Sequence, residues 1–214
     1  MLILIEKTMN DLFNILTTQI VFNPFNRAVA TVASIYGVAT FLIYTIACYM
    51  MFGVTKSISI TYYYHNSSKY NFFGVHNLRW LFQAFMLSSA VSIFFIAQNV
   101  LYLIVAVLFT LMTAFPSVLY RGRNVPHIIY HSTFAVLAIS LMLIGLPICY
   151  GLGYVIFCEI AVISDVLIAI FVKQKPSNSN ELDDTTTRLY WIEVSSILTL
   201  IFGLISKNVF DLKL

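Results

Sequence analysis

Charge is scarce in this chain. Lys, Arg, Asp and Glu make up 10% of its 214 residues, where a soluble globular domain carries about 25%. So few charges cannot cover a surface facing water, which argues against an ordinary soluble domain. The 12 Lys and Arg and 9 Asp and Glu leave a formal net charge of +3. No basic run is suited to tracking a phosphate backbone, so nucleic acid is not expected as a direct partner. Cysteine is scarce as well. Cys48, Cys149 and Cys158 all lie in apolar stretches without CxxC spacing, which argues against a disulfide framework and a cysteine zinc site. They read as small buried hydrophobes. GxSxG is absent, as are GxxxxGKS, GxxxxGKT and GxGxxG, so neither that serine hydrolase chemistry nor nucleotide binding is indicated. No internal repeat is visible, and no inverted-repeat transporter is proposed. No cofactor is expected.

What fills the chain instead is apolar: 60% of it, with 18 Phe and 13 Tyr suited to lipid and to interfacial belts. A spanning helix needs about 20 mostly apolar residues to cross about 30 Å of hydrocarbon. The apolar runs predict an all-α, polytopic transmembrane bundle with six spanning helices at about 28–53, 79–97, 100–120, 126–149, 152–172 and 188–206. They form a single domain over 25–210, preceded by an amphipathic segment over 1–24. In that segment Leu2, Ile5, Met9, Leu12, Phe13, Leu16 and Ile20 recur at three- and four-residue steps. The pattern suits a helix lying in the interface, and equally a helix packed on the bundle. Glu6, Lys7 and Asp11 interrupt any apolar core of a signal peptide.

Between the runs, 54–78 is rich in Ser and Tyr and reads as an interfacial loop, with Tyr62, Tyr63 and Tyr64 at headgroup level. Gln98 and Asn99 form a tight turn. Pro116 falls in the last turn of the third span, and Pro126 opens the fourth, a position that suits proline. Pro147, Gly151 and Gly153 mark the next turn, and KQKPSNSNELDDTTT (173–187) is a linker. Six spans put both termini on one side, with Lys7, Arg27, Lys207 and Lys213. The other side holds Lys56, Lys69, Arg79, Arg121, Arg123, Lys173, Lys175 and Arg188. Eight against four places loops 54–78, 121–125 and 173–188 in the cytoplasm by the positive-inside tendency.

Charges within a bilayer usually face protein or a wet cavity, because each costs about 2.5–3.5 kcal/mol even on the lenient insertion scale. Three carboxylates fall inside spans: Glu159, Asp165 and Glu193. At 1.5 Å per residue, Asp165 lies about 12 Å inward from Lys173 and Glu193 about 7 Å inward from Arg188. His127 and His131 open the fourth span one turn apart, His76 precedes the second, and His65 lies in the tyrosine-rich loop. By depth, His76, His127, His131, Asp165 and Glu193 share one leaflet, and Glu159 lies nearer the opposite face. Three uses are open for such a polar cluster. His127, His131 and Asp165 are weak candidates for a zinc site, since the Glu of HExxH is missing. Buried carboxylates and histidines can relay protons or ions. Or each group simply bonds across helices and holds the bundle. Small and hydroxylated residues form packing stripes: Glu193, Ser196, Thr199, Gly203 and Ser206; Ala84, Ser88 and Ser92; Ala33 and Gly37.

The loop motif SISITYYYH (57–65), which holds Ser57, Ser59, Tyr62, Tyr63 and His65, is followed by AFPS (114–117) and HIIYHSTFAVLAISL (127–141). Together they resemble a group of bacterial and phage integral membrane proteins in which a Ser-Ile-Ser…Tyr-Tyr motif follows the first helices and a His-Tyr pair opens a later one. The resemblance implies a six-to-seven-span fold and no particular activity. A more distant likeness is to the membrane hydrolases that include alkaline ceramidases, which combine Ser-x-x-x-His, an Asp and HxxxH. Here Thr61 stands in place of that Ser before His65, the third span has no Asp, and HxxxH lies on the fourth span. The expectation is a bundle in a bacterial inner membrane without enzymatic activity. It either moves a small solute, ions or protons, or regulates or assembles with a protein partner or a second copy. A zinc-dependent hydrolase of lipid amides or esters is the alternative.

Overall fold

The computed structural model of the protein describes residues 2–18, 26–55, 57–64, 79–115, 125–172 and 187–214. These residues form an all-α bundle with no strand among them. Its helices are α1 (Leu2–Thr17), α2 (Asn26–Phe52), the single turn α3 (Thr61–Tyr64), α4 (Arg79–Ala97), α5 (Val100–Ala114), α6 (Val125–Tyr150), α7 (Val155–Phe171) and α8 (Thr187–Asn208). A 3₁₀ turn, Leu152–Tyr154, leads into α7. By length and composition, α2, α4, α6, α8 and α7 with its leading turn are long and apolar enough to cross a membrane. α5 is equally apolar but shorter, about 22 Å at 1.5 Å per residue.

The helices α2, α4, α5 and α6 pack side by side in that order, and α8 lies against α2, α4 and α6. α7 sits outside, on α8 and α6, and α1 touches α5. Ile5, Met9, Leu12 and Phe13 of α1 remain exposed. The core is aromatic at its centre: Tyr44 stacks on Phe85 with centroids 4.3 Å apart, and Phe41 and Phe82 are fully buried beside them. The small-residue stripes are seams. A Cβ on Gly37 would lie 2.8 Å from the Cβ of Ser92, so only glycine lets α2 approach α4 this closely. One turn away, the Tyr36 hydroxyl bonds the Ser88 Oγ at 2.9 Å. Gly203 of α8 faces Leu146 and Phe157. Ala84, by contrast, is exposed.

One proline behaves otherwise than its sequence position suggests. α5 ends at Ala114, and Phe115 leaves the helical region (φ −121°, ψ 69°), as suits the residue before a proline. Pro116, read as part of the last turn of the third span, falls outside the described residues with the rest of 116–120. Pro147 does not mark a turn but lies inside α6. With no N–H it leaves the carbonyl of Leu143 unpaired within the helix. The Cys158 thiol of α7 donates to that carbonyl at 3.1 Å. This cysteine thus replaces a lost backbone bond, a more specific role than small hydrophobe. The turn at Gln98 and Asn99 is as tight as read: Gln98 takes φ +53°, and the Asn99 side chain accepts from the Tyr102 N–H at 2.9 Å to cap α5.

Candidate functional site

The described part of the stretch after α2 packs back onto the bundle, against α2 and α4. Gly53 takes φ +71°, a conformation open to glycine, and the residues that follow are packed inside protein. Thr55, Ser57, Ile58, Ser59, Ile60 and Thr61 are all buried, Thr61 completely. The Thr61 hydroxyl bonds that of Tyr44, eight residues back from the end of α2 and hence about 12 Å along it. Irregular backbone at such depth is tolerated only where protein or a wet cavity satisfies its polar groups.

The hydroxyl residues do much of that locally. The Thr55 hydroxyl donates to the Ser57 carbonyl (2.9 Å), and that of Thr61 to the Ile58 carbonyl (2.6 Å). The Ile60 N–H donates to the Ser57 Oγ (3.3 Å), which also bonds the Ser59 Oγ (3.1 Å). Such side-chain-to-backbone bonds are what Ser and Thr offer a chain outside regular structure. One donor is met from afar: the Ile58 N–H donates to Glu193 Oε2 of α8 at 2.6 Å. A carboxylate accepting an N–H is among the stronger hydrogen bonds. Tyr62 packs its edge on Phe82 and carries the Arg79 guanidinium 4.8 Å from its ring centroid, a cation–π arrangement that anchors α3 to α4.

Ile58, Ser59 and Glu193 line a cavity of about 60 Å³ whose other walls include His131, Phe82 and Phe109. At about 10–15 Å³ per water, it holds a few waters and little more. Glu193 Oε1 makes no hydrogen bond among the described residues, so one carboxyl oxygen holds the loop and the other is unspent at a cavity wall. His131 is buried, and its Nδ1 lies 2.8 Å from the carbonyl of Phe115. A carbonyl only accepts, so Nδ1 carries the proton shared with it. His131 thereby ties α6 to the end of α5.

The other predicted residues distribute unevenly. Asp165 of α7 accepts from the Ser196 hydroxyl at 2.8 Å through Oδ2, while its buried Oδ1 has no partner among the described residues. Ser196 stands one turn beyond Glu193, on the same side of α8. Asp165 therefore sits behind the cavity, on the α7–α8 seam. Glu159 is exposed on α7, apart from this group. His65 and His76 lie outside the described residues, as do the side chains of His127 and Tyr63. Among the described residues no three His, Cys, Asp or Glu side chains gather to hold a metal ion.

Sequence reading passed over Tyr44 and Phe115, the hydroxyl and carbonyl that Thr61 and His131 meet. A faint signal was present for the loop: Ile58 and Ile60 alternate with hydroxyl residues, a pattern odd for a surface stretch. No protein-family model, curated protein or solved structure matches this chain.

Proposed function

We propose that this chain is a membrane protein that moves protons or small ions through its interior, with Glu193 and His131 as the groups that bind them in transit. One observation carries the reading: a buried, non-helical loop hung on a carboxylate that keeps one oxygen unspent at a cavity wall. Water-sized space favours protons or small ions over larger solutes. Asp165, with an unpartnered oxygen and a hydroxyl link to α8, extends the polar path sideways. The composition, the resemblance of the loop motif and the eight-to-four charge bias support a bacterial inner membrane, with loops 54–78, 121–125 and 173–188 in the cytoplasm.

The test is flux into liposomes carrying the purified protein and a pH-sensitive dye, driven by a potassium diffusion potential. Dye response in the wild type, lost in Glu193→Gln, supports the reading. Equal flux in both, or none in either, overturns it.

A second reading, a component that assembles with another protein or another copy, is favoured by α7. Its long apolar residues, among them Ile156, Ile160, Ile163 and Ile170, are exposed beside an exposed Glu159. A carboxylate in contact with lipid is costly, and a partner helix would relieve that cost. Cross-linking in native membranes, compared with Glu159→Gln, separates this reading from the first.

A further inference from the structure

A second cavity lies at the opposite end of the bundle, between the start of α2 and the end of α8. It measures about 240 Å³, several times the volume of the one beside Glu193. Arg27, Lys207 and Asp211 form its charged wall, Gln98 and Asn208 its amide wall, and Ala30 and Ile96 its apolar floor. Neither the charge bias nor the buried loop accounts for it.

Among the described residues Arg27 makes one hydrogen bond, its Nε–H donating to the Val209 carbonyl at 3.0 Å. Both terminal amino groups of its guanidinium are unspent among the described residues. A guanidinium fixed at Nε and open at its fork suits two oxygens of one phosphate. Lys207 lies across the cavity and spends one of its three donors on Asp211, at 3.2 Å. Two cations line the pocket against one carboxylate, and Lys213 adds its charge beside Asp211, so positive charge is in excess. The amide of Gln98 is turned to the Asn26 carbonyl (3.2 Å), and that of Asn208 to Tyr150 and Leu204. The selective contacts therefore fall to the two cations.

We propose that this pocket binds a phosphate group bearing a single negative charge, the phosphodiester of a membrane phospholipid. Three observations converge on that ligand. The excess of positive charge attracts a phosphate, while the Asp211 carboxylate repels the second charge that free phosphate acquires near neutral pH. The apolar floor of Ala30 and Ile96 suits the start of a glycerol backbone and acyl chain. And the pocket lies where two membrane-length helices end, the depth at which headgroups sit. The inference stands apart from the permeation reading and uses none of its residues.

Native mass spectrometry of the full chain, released from detergent, tests it in three arms: phosphatidylglycerol, phosphatidylcholine and inorganic phosphate. One phosphatidylglycerol per chain is expected, retained above phosphatidylcholine. Arg27→Gln is expected to weaken retention about tenfold, the loss of a charge-assisted bond. Asp211→Asn, at an exposed position that leaves the fold intact, is expected to shift selectivity the other way and admit inorganic phosphate. Equal retention of phosphatidylglycerol by wild type and Arg27→Gln overturns the site. Wild-type retention of inorganic phosphate as firm as that of the lipid overturns the lipid as its source.

Discussion

At one end of the bundle, neutral amides and phenols close the turns. The Gln98 side chain donates to the Asn26 carbonyl, Tyr150 to Ala97 (3.5 Å), Asn208 to Tyr150 (3.1 Å), and Tyr154 to Leu212. At the other end, a non-helical segment enters the bundle and hangs on a carboxylate. The first arrangement spreads its bonds over many weak, replaceable pairs. In the second, hydroxyls serve most of the loop locally, but the Ile58 N–H depends on one distant acceptor, so that losing it strands a buried donor. Dependence on a buried ionisable group is what the proposed permeation path requires.

The largest effect is therefore expected from Glu193→Leu. It leaves the Ile58 N–H unpaired, at a cost of about 1–3 kcal/mol, and thermal unfolding in detergent measures it. Glu193→Gln keeps an acceptor and is expected to restore most of that stability without restoring flux. A stable Glu193→Leu protein would erase the contrast between the two ends. At the amide-rich end, Asn99→Ala removes the cap of α5 and is expected to cost about 1 kcal/mol. Cys158→Ala should cost less, because a thiol is a weak donor, whereas Cys158→Ser keeps a donor for Leu143 and should melt at or above the wild type.

The smallest effect is electrostatic. The Lys207 hydrogen bond and its charge hold the Asp211 carboxyl below its ordinary value of 3.8. A carboxyl depressed in the folded state stabilises it above the ordinary value, and that contribution is lost as pH falls through the folded value. Melting curves of wild type and Asp211→Asn should thus differ slightly at neutral pH and converge in acid. Asp211 is fully exposed to solvent, so added salt should shrink the difference further.

Much of this was legible from the residues, and the reasons for the rest are physical. Helix positions follow from apolar runs, so α4 occupies the span read for it, 79–97. The α4–α5 turn was visible because two polar amides interrupt continuous hydrophobicity. Gly37 and Ser92 announced a seam by size alone. The path of 55–61 was not legible, because Ser and Thr look alike whether they face water or close their own backbone. The groups that meet the segment inside the bundle are Tyr44 and Glu193, the latter 135 residues away. Pro147 misled for a related reason. A proline reads as a break unless something else serves the carbonyl it frees, and that something is a thiol on the next helix. His131 was legible as a polar group near a helix start; its partner, a carbonyl at the end of α5, carries no side-chain signature at all.

The α4–α5 turn also constrains how the protein is built. With only two residues between them, α4 and α5 are held as one hairpin. The turn carries no formal charge, and its buried donors are paired within it: the Gln98 N–H with Phe94 (2.7 Å) and the Tyr102 N–H with Asn99. The Gln98 carboxamide then meets the first residue of α2, a helix made before the hairpin. One carboxamide thus joins the turn of the hairpin to the start of α2, so a change at Gln98 loosens three helices at once.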